Sequence, residues 1–202
     1  MGDHTLFCYG TLMAPQMLHR VIHGSPDPEP WQKALIRFQP ALLHGYRRHR
    51  VRGADYPGII PETATATATE IATEPPSDTA VLGVLVSGLT EGDIYRLDQY
   101  EGDEYVKETV KVRTLRASAQ APEEEGAKAK EEEEEEKATW ETQLQNVLDA
   151  AGSHVADEGE EVVAATYVWI AGKERLEERE WDFETFKREK LAWWVGAKES
   201  EW

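Results

Sequence analysis

Cysteine is almost absent from this chain. Cys8 stands alone, which excludes an intrachain disulfide and fits a reducing compartment. Positive charge is scarce: 22 Lys and Arg face 39 Asp and Glu, a formal net charge of −17. Nucleic acids and anionic membrane surfaces both demand cations, so neither is expected as a partner. No stretch is long and apolar enough to span a membrane. The N-terminus has neither the basic start nor the apolar run of a signal peptide. "MGDHTL" also puts Leu6 where a myristoylation signal needs Ser or Thr. A cytoplasmic location is the expectation. The phosphate-binding loop, the GxSxG elbow and the HExxH pattern are missing. His19 and His23 are spaced to share a helix face, but no carboxylate partner accompanies them, so no metal site is expected.

The 202 residues suit a single domain over 1–202. With 40% hydrophobic residues and seven Trp, the chain can bury a sizeable core. Two segments break this pattern. Residues 63–77, "TATATATEIATEPPS", are low in complexity and read as an inserted surface loop. A second insert, over about 117–137, is acidic. Glu123 to Lys137 alone holds nine Glu and three Lys, a net of −6, so the rest of the chain carries −11. Like-charge repulsion opposes its compaction, and it is expected to stay disordered.

Between these inserts the periodicity alternates between strand and helix. Thr5–Tyr9 reads as a buried strand. Pro15–His23 reads as a helix with Met17, Leu18, Val21 and Ile22 on one face and Gly24 as its stop. Ser25–Trp31 is a proline-rich loop, and residues 34–51 hold strand-like material. Asp55–Pro61, bracketed by prolines, is an edge or turn-bounded strand. Ala80–Val86 is a continuous apolar run suited to a central strand. Thr90 and Asp93 are spaced as a capping box for the next helix. Tyr105–Arg113 alternates polar and apolar, Thr139–Gly152 has a helical pattern, Glu161–Ile170 is beta-like, and the tail has helical spacing at Phe183, Phe186, Leu191 and Trp194. The strand connections are mostly too short for repeated parallel crossovers. The fold class is therefore α+β, a small mixed and largely antiparallel β-barrel with flanking helices.

Two features can carry chemistry. The turn Tyr9-Gly10-Thr11-Leu12 follows the first strand, where glycine lets backbone N–H groups approach an anion or oxyanion. Taken by itself, such a turn is more often a plain strand–helix connector. The block "LDQYEGDEYV" clusters Asp98, Glu101, Asp103 and Glu104. Glu101 stands out because Gly102 follows it at a helix–strand junction. Burial there would raise its pKa toward the range of a general acid/base. Asp98 and Glu104 are expected to be solvated. The basic tract Arg47–Arg52 lacks interleaved aromatics and is expected to pair with acidic neighbours. Cys8, without an activating partner, is expected to pack in the core.

In this order "FCYGTLM", "YPGIIP", "VLGVLVSGLTEGDIYRLDQYEGDEYVKETVKV" and "AATYVWI" resemble the gamma-glutamylcyclotransferase-like superfamily, in its avirulence-induced-gene-like branch. The resemblance covers the ordered parts of residues 5–113 and 161–172, and the two inserts depart from a minimal member. It implies a small mixed barrel whose cavity is lined by Tyr9, Gly10, Thr11 and Leu12, with Glu101 opposite. It implies a cofactor-independent intramolecular aminolysis of a small gamma-glutamyl amine, amino acid or peptide, releasing 5-oxoproline and a free amine. Glu101 would serve as acid/base, with Tyr105 and Tyr167 as further lining residues. A non-catalytic binding protein on the same fold, and acyl transfer to an external amine or water, remain alternatives.

Overall fold

The computed structural model describes residues 2–62, 79–116 and 157–197. Both predicted inserts and the helix expected at Thr139–Gly152 lie outside the described residues.

Five strands close into a barrel: β1 (His4–Cys8), β2 (Arg37–His44), β5 (Ala80–Leu89), β6 (Tyr105–Arg116) and β7 (Asp157–Trp169), in the order β1-β5-β2-β6-β7. All neighbours pair antiparallel except at the closure, where β1 meets β7 in parallel at Leu6 and Ala165. The expected class is therefore the observed one. Strand alternation divides the side chains into two sets. Phe7, Ala41, Leu43, Val81, Leu85, Val110, Val112, Ala164 and Val168, drawn from all five strands, pack together and fill the barrel. Leu6, Cys8, Val84 and Val86 point the other way. They pack against Leu18 and Ile22 of α1 (Pro15–His23) and Ile94 and Leu97 of α3 (Glu91–Glu101).

The helices begin and end for local reasons. Pro15 opens α1, and Gly24 stops it in the left-handed conformation. At α3 the expected capping box is present: the Asp93 N–H donates to Thr90 Oγ1 at 3.3 Å, and the Thr90 N–H donates to Asp93 Oδ2 at 2.9 Å. Gly102 ends α3 with φ of 65°, a region that favours glycine.

Four expectations change in detail. The strand-like stretch 34–51 divides at Gly45 into β2 and β3 (Tyr46–Arg50), and β3 pairs only with β4 (Pro57–Pro61) in a separate two-stranded sheet. The proline-rich loop ends early, because Glu29 and Gln32 cap a one-turn helix, α2 (Pro30–Lys33), that takes in Trp31. β5, β6 and β7 each run a few residues beyond the segments expected from pattern, since ladder pairing carries them through Gly88 and polar ends. The tail forms two short helices, α4 (Phe183–Glu189) and α5 (Leu191–Gly196), split at Lys190. On both sides of the split, Trp181, Phe186 and Trp194 pack with Ala14 and Met17.

Candidate active site

A cavity of about 230 Å³ opens at one end of the barrel. The strand β1 delivers Tyr9 to its edge, and residues Thr11–Met13 form a single tight turn beyond. Gly10 must be glycine here for reasons of space: a Cβ would sit 2.9 Å from Pro57 Cγ. The N–H groups of Gly10, Thr11 and Leu12 make no hydrogen bond to the described residues. They belong to residues that line the cavity and have no acceptor of their own among the described residues.

The last residue of α3, Glu101, lines the same cavity. No donor among the described residues reaches its carboxylate. Burial of the carboxyl group, and then the neighbouring Asp98 charge, push its pKa up to about 8. Its place at the negative end of the α3 dipole acts in the same direction. Asp98 is held in turn by Lys107 at 2.8 Å and by the Tyr167 hydroxyl at 2.7 Å. It is thus a partnered group instead of the solvated one expected.

The remaining predicted residues line the same cavity: Tyr105 and Tyr167 stand there with Tyr9, Gly10, Thr11, Leu12 and Glu101. Their phenols are committed to the protein. Tyr9 donates to the Tyr167 carbonyl at 2.7 Å. Tyr105 donates to the Pro57 carbonyl at 2.8 Å. Burial holds all three well above the ordinary tyrosine range, so they are neutral at physiological pH and serve as fixed walls.

Sequence pattern missed Tyr56, Tyr100 and Trp194, which also line the cavity. Tyr100 lies 2.9 Å from Thr11 Oγ1, which ties α3 to the glycine turn. The Tyr56 hydroxyl donates to Glu104 at 3.0 Å, and Trp194 packs edge-on against the Tyr56 ring. Glu104 also pairs with Arg175, so it too departs from the solvated state expected of it. The Trp-rich tail was the available signal, but only tertiary packing shows which Trp turns inward. Among the described residues, no Lys, Arg or His lines the cavity.

Other expectations settle away from it. His19 and His23 stack at 5.6 Å, and His19, buried against Phe38, is pushed down to about 4 by that burial and by His23. Within the basic tract Arg48 pairs with Glu180 at 2.9 Å and Arg47 loosely with Glu62 at 4.0 Å, whereas Arg50 donates to the Ala54 carbonyl at 3.3 Å. Cys8 is buried in the core, where desolvation raises its pKa, and one side of it borders the cavity. No helix among the described residues is long and apolar enough to cross a membrane.

A family model described as "Gamma-glutamyl cyclotransferase, AIG2-like" matches residues 6–142. Protein AIG2 C of Arabidopsis thaliana is 22% identical over 185 residues, or 92% of this chain and 73% of that protein. Protein AIG2 A of the same plant is 29% identical over 111 residues, or 54% of this chain and 51% of that protein. The alignment thus spans about half the length of that relative. A solution structure of another Arabidopsis thaliana protein aligns with a TM-score of 0.48 at 22% identity, covering 96% of this chain and 78% of that one.

Proposed function

The chain belongs to the "Gamma-glutamyl cyclotransferase, AIG2-like" family, and on that premise we propose that it cyclises a gamma-glutamyl group to 5-oxoproline, releasing a free amine. The observation that carries the reading is the pairing, across one cavity, of an unpartnered Glu101 with the open N–H groups of Gly10, Thr11 and Leu12.

The substrate's alpha-carboxylate needs donors. With no cationic side chain lining the cavity among the described residues, the backbone N–H groups are the complement to it. Anchored there, the glutamyl chain folds so that its own amine meets its gamma-carbonyl carbon. Tethering removes most of the entropic barrier to that encounter. The Glu101 carboxylate takes a proton from the alpha-ammonium. The freed amine forms the new C–N bond and pushes the carbonyl pair onto oxygen. As the tetrahedral intermediate collapses, Glu101 returns the proton to the departing nitrogen, the old C–N bond breaks, and the new ring nitrogen passes its remaining extra proton to the freed amine, which leaves as the ammonium. A carboxyl with a pKa of about 8 suits both halves, because it is basic enough to deprotonate an ammonium and acidic enough to protonate an amine. The tyrosine walls keep bulk water from competing for the carbonyl. The chemistry needs no metal or organic cofactor. A cytoplasmic setting, consistent with the single cysteine, belongs to the same proposal.

The test is product identification. Purified protein is incubated with a panel of gamma-glutamyl amines, amino acids and peptides, and 5-oxoproline is assayed. Release by the wild type, lost in Glu101→Gln, is the expected result. Glutamate in place of 5-oxoproline would mean transfer to water, and unchanged turnover in the variant would remove Glu101 from the mechanism.

A further inference from the structure

We propose that Arg48 is a positioning residue for the glycine turn: it grips the Tyr9 carbonyl and thereby aims the Gly10 N–H into the cavity. The inference rests on the proposed cyclotransferase reading for its meaning in catalysis, but its geometry stands independently.

Arg47 and Arg48 are neighbours on β3 and point to opposite faces. Arg47 is exposed. The Arg48 side chain is only 10% exposed. Burying a guanidinium is costly, and its ion-pair partner Glu180 stays largely exposed and screened, so stability alone does not account for it. Arg48 spends its donors on two backbone carbonyls, Tyr9 at 3.0 Å and Leu82 at 3.1 Å, and on Glu180 at 2.9 Å. The Trp181 ring stacks over it at 5.7 Å. Three separate segments of the chain therefore meet on one planar group.

The Tyr9 carbonyl is the significant partner. In a trans peptide the C=O and the next N–H point in opposite directions. Holding the Tyr9 oxygen toward Arg48 thus directs the Gly10 N–H away from it. Gly10 lines the cavity, and its N–H has no acceptor among the described residues. A charged donor on the carbonyl also polarises the same amide, which strengthens the Gly10 N–H as a donor. The protein so brings a cation to bear on an anion site without placing its side chain there. No other peptide of the turn is held in this way by a charged side chain among the described residues.

The experiment uses the full chain with Arg48→Met and Arg48→Lys. Because the N–H groups hold a carboxylate that does not react, losing their alignment removes uniform binding. Arg48→Met is expected to raise KM for a gamma-glutamyl substrate about tenfold with kcat nearly unchanged, and Arg48→Lys to recover part of the difference. Misfolding alone would lower kcat at constant KM, and that result overturns the proposal. A second readout does not depend on turnover. Loss of the bond to the Tyr9 carbonyl should move the Gly10 amide nitrogen resonance upfield in Arg48→Met while Gly102 stays in place. An unmoved Gly10 resonance also overturns the proposal. Should Arg48→Met fail to fold, Arg48→Lys carries both readouts. If the wild type cyclises no compound of the panel, the cyclotransferase reading fails, and the Gly10 resonance still decides the role of Arg48.

Discussion

Glu101 and Glu104 lie three residues apart and line one cavity, yet the two ends of that short stretch treat a carboxylate oppositely. At the end of α3, Glu101 has no donor among the described residues, and its pKa is raised to about 8. In the turn beyond Gly102, Glu104 accepts from Tyr56 and pairs with Arg175. One residue type thus yields the proposed acid/base and a strut. The difference comes from backbone placement. The helix end sets Glu101 beside Asp98 with no N–H to receive it, whereas Glu104, past Gly102 with its φ of 65°, meets Tyr56 and Arg175. Environment, and not identity, assigns the roles.

Swapping each acid for its amide breaks this contrast most sharply. Glu101→Gln should lower 5-oxoproline release about 10³-fold, while Glu104→Gln should stay within about fivefold of the wild type. Parallel assays on one substrate check both, and similar losses in the two variants would erase the distinction. The next effect is on the pH profile. If Glu101 must begin as the carboxylate, kcat/KM should rise about tenfold per pH unit in the acid range and level off above about 8. A plateau beginning near pH 5 would assign the limb to an ordinary carboxyl.

A smaller effect appears in stability. Between about 4.5 and 8 the folded protein keeps a proton on Glu101 that the unfolded chain has released, so this residue makes stability fall as pH rises through that window. Glu101→Gln should therefore raise Tm by a few degrees at pH 9 and leave it unchanged at pH 4, as read by thermal melts at both. Glu104→Gln should do the reverse and cost about 0.5–1 kcal/mol at neutral pH, because its partners are partly exposed and screened. Denaturant titration measures that loss. A gain in stability there would show that Arg175 does not hold Glu104 usefully.

The parts of this arrangement that depend on near neighbours were legible in the sequence. Thr90 and Asp93 announce the start of α3 by their spacing, and Glu101-Gly102 announces its end. The turn Tyr9–Leu12 could be placed because a strand runs into it. What could not be read depends on distant partners. Nothing local to Arg48 says that it turns in toward Tyr9 while Arg47 stays out. Tyr56 and Trp194 meet from positions far apart in the chain, and the tail packs onto Ala14 and Met17 on the other side of the sequence. Asp98 and Glu104 look like surface acids until Lys107, Tyr167, Tyr56 and Arg175 are brought to them.

The parallel closure of β1 on β7 has a consequence for the order in which the molecule matures. Tyr9 bonds to the Tyr167 carbonyl across 158 residues, and Leu6 pairs with Ala165. A ribosome has therefore delivered most of the chain before β7 can close the barrel against β1. Contacts of such long range are slow to form. Until they do, the glycine turn lacks the strand that completes its wall. A chain that ends before β7 carries every residue of "FCYGTLM" and "QYEGDEY" but lacks the strand that supplies Tyr167 to the wall they share.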